Sequence, residues 1–200
     1  NILKVWDIHH EDGLIIEASD WSRKEGTLAN VMNKKGRFSL EDALPIIQGI
    51  ANGLEAVHQE GIVHRNLTPE NIMMFGNTPK LMNFDLSYLP EDERLTVLPD
   101  DLQLKESPYL APELYHHQPF AEATDIFSLG VIAYELLTGA PPFPKSTDLI
   151  TDKSIYDTVE SKLTEIGIPE SLRTDIVLMI QRHREDRPQE IGELQLELKD

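Results

Sequence analysis

The sequence contains no cysteine in its 200 residues. Disulfide scaffolds, zinc ribbons and thiol catalysis are therefore excluded, and the absence suits a reducing compartment. Basic residues are scarce as well, since 18 Lys and Arg stand against 35 Asp and Glu and the formal net charge is −17. A protein that binds nucleic acid or an anionic lipid surface needs a surplus of cations. We therefore expect neither as a direct partner.

Long hydrophobic runs are also missing. The longest mostly apolar stretch, Ile126 to Leu137, contains Ser128 and Glu135 and is far shorter than the roughly 20 residues that span a bilayer. We expect no membrane-spanning segment. What the sequence does contain is 40% apolar residues, which is enough to build one sizeable core in a chain of this length.

Apolar residues recur at spacings of three and four through most of the sequence, a period typical of amphipathic helices. Helices are predicted from the N-cap Ser39 to Gly61, and over Thr124 to Thr138, Ile155 to Ile166, Pro169 to Gln181 and Pro188 to Leu198. Short β-like runs bounded by turn residues are predicted at Ile2 to Trp6, Leu14 to Glu17, Ile72 to Phe75 and Lys80 to Met82.

Five short motifs follow one another along the chain. They are His64 to Asn71, Asn83-Phe84-Asp85, Ala111-Pro112-Glu113, Asp125 to Gly130, and Arg187-Pro188. In this order and spacing they resemble the large, C-terminal lobe of a eukaryotic-type protein kinase, and an ordered set is far more specific than any single motif. The resemblance implies a mainly α fold with a central buried helix and short β-hairpins where the motifs gather.

The resemblance also implies a division of the chain. Residues 1–20 look like a remnant of the small, N-terminal lobe, with its fourth and fifth strands and the hinge, and residues 21–200 like the large lobe. The sequence has no Gly-x-Gly-x-x-Gly phosphate loop, and we expect the missing part of the small lobe upstream.

The positions that transfer phosphate in that family are altered here. Asn66 stands where the family has the aspartate that accepts the substrate proton, and an amide cannot take a proton near neutral pH. Thr68 replaces the lysine that steadies the γ-phosphate. Asn83 replaces the metal-binding aspartate, which leaves Asn71 as a neutral second ligand. Asp85 replaces a glycine and is either a displaced metal ligand or a solvated acid.

Positions that hold the family's framework are retained. His64 and Phe84 match the apolar column that links the catalytic loop to the switch triplet, and Met73 matches the column that an adenine ring completes. Asp125 matches the buried carboxylate that accepts backbone N–H groups of the catalytic loop. These matches imply that the shape of the domain persists without its reaction.

Two further matches concern the activation segment, Asn83 to Glu113. Glu113 and Arg187 match the buried ion pair that fastens the end of this segment. Arg65 matches the arginine that reads a phosphate on it, and here the acids between Glu91 and Glu106 could supply a standing negative charge instead. The alternative is that Arg65 faces solvent and the segment is mobile.

A second resemblance is narrower. It rests on the runs Asn66 to Ile72, Asn83 to Asp85, Tyr109 to Glu113 and Ile168-Pro169-Glu170, which look like the Scy1-like pseudokinases of vesicle trafficking. This resemblance implies a cytoplasmic protein that reaches vesicle, Golgi or endosomal membranes through protein partners.

The leading functional hypothesis is a catalytically inactive pseudokinase that acts as a scaffold, adaptor or allosteric module. The alternative is a weakly active or atypical Ser/Thr protein kinase that transfers phosphate from ATP. We expect protein partners and no firmly bound cofactor, and any bound nucleotide would be ATP without Mg²⁺.

Overall fold

The computed structural model describes residues 1–11, 14–20, 22, 24–84, 107–116, 119–145 and 154–196. The strands are β1 (Val5–Glu11), β2 (Leu14–Ser19), β3 (Ile72–Phe75) and β4 (Thr78–Leu81). The helices are α1 (Leu28–Lys35), α2 (Leu40–His58), α3 (Pro112–Tyr115), α4 (Glu122–Thr138), α5 (Ser154–Glu165) and α6 (Glu170–Met179). Single 3-10 turns span Pro69–Asn71, Arg184–Asp186 and Ile191–Glu193. None of the helices in this part of the chain has the length and apolarity needed to cross a membrane.

Helix α4 forms the centre of the fold, as the sequence predicts. Fourteen of its residues, from Ala123 to Leu137, are buried, because its apolar residues cover most of its circumference. A Cβ atom on Gly130 would lie 2.6 Å from the Cβ of Met179 in α6, so glycine permits the two helices to approach closely. Gly139 ends α4 with a φ of 88° and donates its N–H to the Glu135 carbonyl at 2.7 Å.

Helix α2 packs on α4 and follows the predicted pattern. Ser39 is its N-cap and accepts the Asp42 N–H at 3.2 Å. The residues at three- and four-residue spacing, including Leu44, Ile47, Ile50 and Leu54, are buried. At its other end α2 presents His58 to the first turn of α4, where the Asp125 carboxylate lies 2.9 Å away.

The strands form two antiparallel hairpins, β1 with β2 and β3 with β4. Strand β3 has its predicted bounds, whereas β4 starts two residues earlier than the predicted run. In the β3–β4 hairpin Ile72 lies opposite Leu81. The N-terminal segment extends this hairpin, because Leu3 donates its N–H to the Leu81 carbonyl and Leu81 donates its N–H to the Asn1 carbonyl, both at 2.8 Å.

The predicted last helix, Pro188 to Leu198, is wrong within the described residues. Only the 3-10 turn Ile191–Glu193 forms there. The backbone beyond it is bonded to other elements, since Gln195 donates its N–H to the Asp175 carboxylate at 2.7 Å and the Leu196 carbonyl accepts from the Gln48 amide at 2.6 Å. Gly192 further disfavours a helix, by about 1 kcal/mol relative to alanine.

Helix α1 was not predicted. The Thr27 side chain caps it by accepting the Asn30 N–H. The Asn30 side-chain oxygen in turn accepts the Thr27 N–H at 3.0 Å. Only Leu28 and Met32 are buried in this helix. Leu28, Val31 and Met32 have helical spacing but span little more than one turn, which is too short a stretch to predict a helix from periodicity.

Candidate functional site

Asp125 shapes the loop from His64 to Asn71. Its side chain is fully buried, and its Oδ2 and Oδ1 atoms accept the backbone N–H groups of His64 and Arg65, each at 2.8 Å. Arg65 has a φ of 63°, a left-handed conformation that costs a non-glycine residue roughly 1–3 kcal/mol. The bonds to a buried carboxylate offset that cost, so the loop is held in one conformation.

Three asparagines form the centre of the site. Asn71 donates from Nδ2 to the Asn66 carbonyl at 2.8 Å, and Asn83 donates from Nδ2 to the Asn71 Oδ1 atom at 2.8 Å. Asn83 has a φ of 62°, which asparagine tolerates better than most residues. The structure thus brings these three sequence-predicted positions together. We call them the amide chain: it carries no charge and no group that takes up a proton near neutral pH.

Thr68 lies close to the amide chain and contacts it through its backbone. Its carbonyl accepts the Asn71 N–H at 2.9 Å at the start of the turn Pro69–Asn71. Thr68 and Asn66 line a cavity of about 210 Å³ together with Arg65 and Tyr109. A threonine side chain has neither the length nor the charge of the lysine it replaces.

The magnesium ion that the kinase resemblance implies does not fit these residues. The side chains of Asn71 and Asn83 are neutral amides joined by a hydrogen bond, and neither supplies the negative charge that a hard cation needs. Within the described ranges no cluster of three or more His, Cys, Asp or Glu could hold a metal ion. Asp85, the other predicted metal ligand, lies outside the described residues.

His64 and Phe84 lie in contact beside the amide chain. Their ring centroids are 4.7 Å apart and the rings are inclined by 48°. The His64 Nδ1 atom accepts the Asn66 N–H at 3.3 Å, so its Nε2 atom carries the proton and donates it to the Met82 carbonyl at 3.1 Å. This fully buried histidine is a positioning residue that ties the loop to the residues after β4.

A cavity of about 230 Å³ borders on Phe84. It is lined by Leu3, Val5, Ser19, Leu81, Met82, Asn83 and Phe84. Met73, the predicted contact of an adenine ring, is fully buried in β3, where its backbone pairs with Thr27. The structure therefore shows Met73 as a buried residue of β3 that does not line this cavity.

Glu113 and Arg187 form a buried, two-pronged ion pair. The Arg187 Nη1 and Nη2 atoms donate to the two Glu113 carboxylate oxygens, each at 2.9 Å. Thr124 also donates to Glu113 at 2.9 Å, and Arg187 makes further bonds to the carbonyls of Ala123, Gln181 and Arg182. Hydrogen bonds thus satisfy both buried charges. The same bonds join α3 to α4 and to the chain after α6.

The contact between Tyr109 and Glu135 was not expected from the sequence. The Tyr109 hydroxyl donates to a Glu135 carboxylate oxygen at 2.5 Å, and Ser128 donates to the Tyr109 carbonyl at 2.7 Å. Burial raises the pKa of Glu135, and burial together with that carboxylate raises the pKa of the Tyr109 hydroxyl. The polar Ser128 and Glu135 inside an otherwise apolar helix were the available signal.

Comparison with known proteins gives the family. The family model described as "Protein kinase domain" matches residues 1–190. The chain belongs to the protein kinase family. It is 31% identical to an Aurora kinase of Candida glabrata over 177 residues, 88% of this chain and 46% of that protein. It is 30% identical to an Aurora kinase of Schizosaccharomyces pombe over 190 residues, 94% of this chain and 50% of that protein.

A human relative, ribosomal protein S6 kinase alpha-4, is 32% identical over 152 residues, 72% of this chain and 19% of that protein. The chain spans about half the length, or less, of these relatives. All three are named as kinases, so the comparisons support the Ser/Thr kinase alternative better than the pseudokinase hypothesis. They do not show a scaffold role, and the Scy1-like resemblance stays a prediction.

Arg65 does not face solvent. It is 6% exposed, and its guanidinium group lies 4.5 Å from the centroid of the Phe120 ring. The alternative in which Arg65 faces solvent is therefore wrong, and its second part, a mobile segment, concerns residues outside the described ranges. The acids expected to supply a standing charge to Arg65 lie between residues 85 and 106, outside the described residues, so that expectation stays a prediction.

Proposed function

We propose that this chain is the large lobe of a protein kinase domain that has lost efficient phosphoryl transfer and acts by binding other proteins. The observation that carries the proposal is the amide chain of Asn66, Asn71 and Asn83. Hydrogen bonds of 2.8 Å join the Asn83 side chain to the Asn71 side chain, and the Asn71 side chain to the Asn66 backbone carbonyl, and none of the three side chains carries a charge or accepts a proton near neutral pH.

Two losses in the amide chain act on the reaction itself. Without a carboxylate at residue 66 no side chain there can accept the substrate hydroxyl proton, and positioned acid–base groups are worth roughly 10²–10⁴-fold in rate. Without a carboxylate at residue 83, nothing there holds the metal ion that would neutralise the charge on the transferred phosphate. Since both groups act in the same step, the loss of either one is enough to impair phosphoryl transfer.

The retained framework supports a role in binding. Asp125 holds the loop, and Glu113 with Arg187 anchors the end of the activation segment through the buried bonds described above. These groups maintain the surface of a kinase large lobe. A pseudokinase needs that surface, because the binding of partners depends on the folded shape and not on catalytic activity.

The second candidate function is a weakly active or atypical Ser/Thr kinase. The specific finding in its favour is the similarity to proteins named Aurora kinase at 30–31% identity. Such an enzyme would use Asp85 as its metal ligand and a water chain to carry the substrate proton. ATP would then be its phosphate donor.

A phosphate-transfer assay on the full-length protein separates the two candidates. With labelled ATP, Mg²⁺ or Mn²⁺ and a generic Ser/Thr substrate, we expect no transfer above that of an Asn66→Ala variant. Turnover that disappears in Asn66→Ala or Asp85→Ala, and persists in the surface control Glu160→Gln, would establish the enzyme. Glu160 is exposed and distant in sequence from the site.

We also propose, on the Scy1-like resemblance, a cytoplasmic adaptor that protein partners recruit to vesicle, Golgi or endosomal membranes. Helical repeats of about 40 residues downstream in the full-length protein would support this role. A fluorescent fusion of the full-length protein tests it, since diffuse fluorescence with no enrichment on these membranes contradicts the proposal.

A further inference from the structure

The hydrogen bond between Asn83 and Asn71 has a direction that the neighbouring atoms fix. The Asn71 Nδ2 atom lies 2.8 Å from the Asn66 backbone carbonyl. A carbonyl can only accept, so the Asn71 amide turns its nitrogen to it and presents its oxygen to Asn83. The Asn83 Nδ2 atom donates to that oxygen at 2.8 Å. We call this contact the amide bridge. Asn83 is exposed, but Asn71 is only 8% exposed, so the acceptor has little access to water.

An aspartate at residue 83 could not form the amide bridge. A carboxylate has no proton to donate near neutral pH, so two acceptors would face each other across the same gap and a cation would have to lie between them. The backbone does not explain the choice of asparagine. Residue 83 has a φ of 62°, and aspartate visits that left-handed region as asparagine does. The side-chain donor therefore distinguishes the residue present from the one in the kinase motif.

The amide bridge is one of several contacts that hold the segment 82–84. Met82 donates its N–H to the Asn71 carbonyl at 3.1 Å, and its own carbonyl accepts from the His64 Nε2 atom at 3.1 Å. The Phe84 ring centroid lies 4.7 Å from that of His64. All three residues of the segment are thus joined to the loop that precedes β3.

We propose that the amide bridge fixes the segment 82–84 in one conformation without a metal ion or a nucleotide. The proton of an uncharged amide joins two positions that two acceptors could share only through a cation. The three residues also line the cavity of about 230 Å³, so this part of its wall is formed in advance. The consequence for binding rests on the function proposed above: partners meet the same surface whether or not a nucleotide is present.

The alternative is that a bound cation fixes the segment, as the kinase resemblance implies. The two asparagines supply no negative charge for such an ion, and a hydrogen bond joins them directly. The two explanations predict different behaviour in a chelator. If a cation fixes the segment, EDTA should loosen it, whereas the amide bridge should be unaffected.

Hydrogen exchange of the full-length protein tests this difference. The Met82 N–H is the reporter, because it is bonded to the Asn71 carbonyl and exchanges when the segment opens. Its protection is measured in EDTA, in Mg²⁺, and in Mg²⁺ with ATP. We expect equal protection in the three conditions.

Two variants add the same charge on either side of the amide bridge. Asn83→Asp removes the donor and should lower the protection of the Met82 N–H in EDTA about tenfold. Asn71→Asp keeps an acceptor for the Asn83 amide and should retain most of that protection, although its bond to the Asn66 carbonyl is lost. Asn52→Asp adds the charge at an exposed position of α2 and is the control. Thermal melts establish that the variants fold.

Three outcomes overturn the proposal. Protection that requires Mg²⁺ or ATP in the unaltered protein shows that a ligand fixes the segment. Protection in Asn83→Asp equal to that in Asn52→Asp shows that the amide bridge contributes nothing. Equal losses in Asn83→Asp and Asn71→Asp assign the effect to the added charge and not to the missing donor. None of these measurements follows phosphate transfer, so a transfer activity would contradict the proposed function and leave this result standing.

Discussion

Asn83 donates a hydrogen bond from its side-chain nitrogen to the side-chain oxygen of Asn71 at 2.8 Å. In the kinase fold these two positions hold the metal ions, so the finding places two neutral amides in contact where the reaction needs charge.

Nucleotide binding should be weak and indifferent to Mg²⁺, because the amide chain offers the ion no negative charge. The measurement is the thermal shift of the full-length protein with ATP in either magnesium or EDTA. A stabilisation that requires magnesium would contradict this expectation, and Asp85→Ala should then abolish it.

Asn66→Asp alone should not create detectable phosphate transfer. The base, the phosphate lysine and the metal carboxylate act as a unit, and residues of that kind are not additive. The triple change of Asn66→Asp, Thr68→Lys and Asn83→Asp is the variant in which transfer from labelled ATP is expected. Activity in the single variant would mean that Thr68 and Asn83 limit the reaction less than the geometry indicates.

Breaking the ion pair between Glu113 and Arg187 on one side should destabilise the domain by about 3–5 kcal/mol, since it leaves the other charge buried and unpaired. Glu113→Gln and Arg187→Met test this in urea unfolding. The matched control is Lys35→Met, which breaks the more exposed pair with Asp42 and should cost at most about 1 kcal/mol. Equal effects of the two kinds of change would refute the role assigned to burial.

The pH dependence of stability should carry a signature of Glu135. Burial raises the pKa of its carboxyl, so the folded state keeps this proton at pH values where the unfolded chain, with a pKa of about 4.3, has lost it. The Glu135 contribution to the free energy of unfolding should therefore fall as pH rises from about 4.3 through the raised pKa.

Glu135→Gln should remove that fall while keeping an acceptor for the Tyr109 hydroxyl. The free energy of unfolding is measured for the unaltered protein and for Glu135→Gln from pH 4 to pH 8, and the difference between the two is followed with pH. Glu160→Gln is the control variant. A difference that does not vary with pH would mean that Glu135 titrates normally in the folded protein.

The activation segment should be ordered without phosphorylation, because its own acids can supply the charge that Arg65 would take from a phosphate. Hydrogen exchange of the unphosphorylated protein should show protection between Pro90 and Lys105. Replacing Glu91, Asp92 and Glu93 with the matching amides should reduce it, whereas Glu160→Gln should not. Unprotected amides throughout the segment in the unaltered protein would disprove the expectation.

The motifs and periodicities were enough to predict the family and most of the framework. Ser39 is the N-cap of α2 and Gly139 ends α4, and both roles follow from the residue type. The apolar residues around the circumference of α4 predict its burial. The substitutions Asn66, Thr68 and Asn83 are visible directly, since each changes the charge or length of a side chain whose position is set by an ordered motif.

Tertiary structure decided what depends on groups distant in sequence. Pro188 to Leu198 has a helical period, but its backbone groups bond to Asp175 and Gln48 instead. The meeting of Tyr109 with Glu135, and of His58 with Asp125, also joins residues from separate elements. A local pattern reports which face of a segment is apolar, whereas hydrogen-bond partners across the fold depend on how the segments pack, and only the packed structure specifies them.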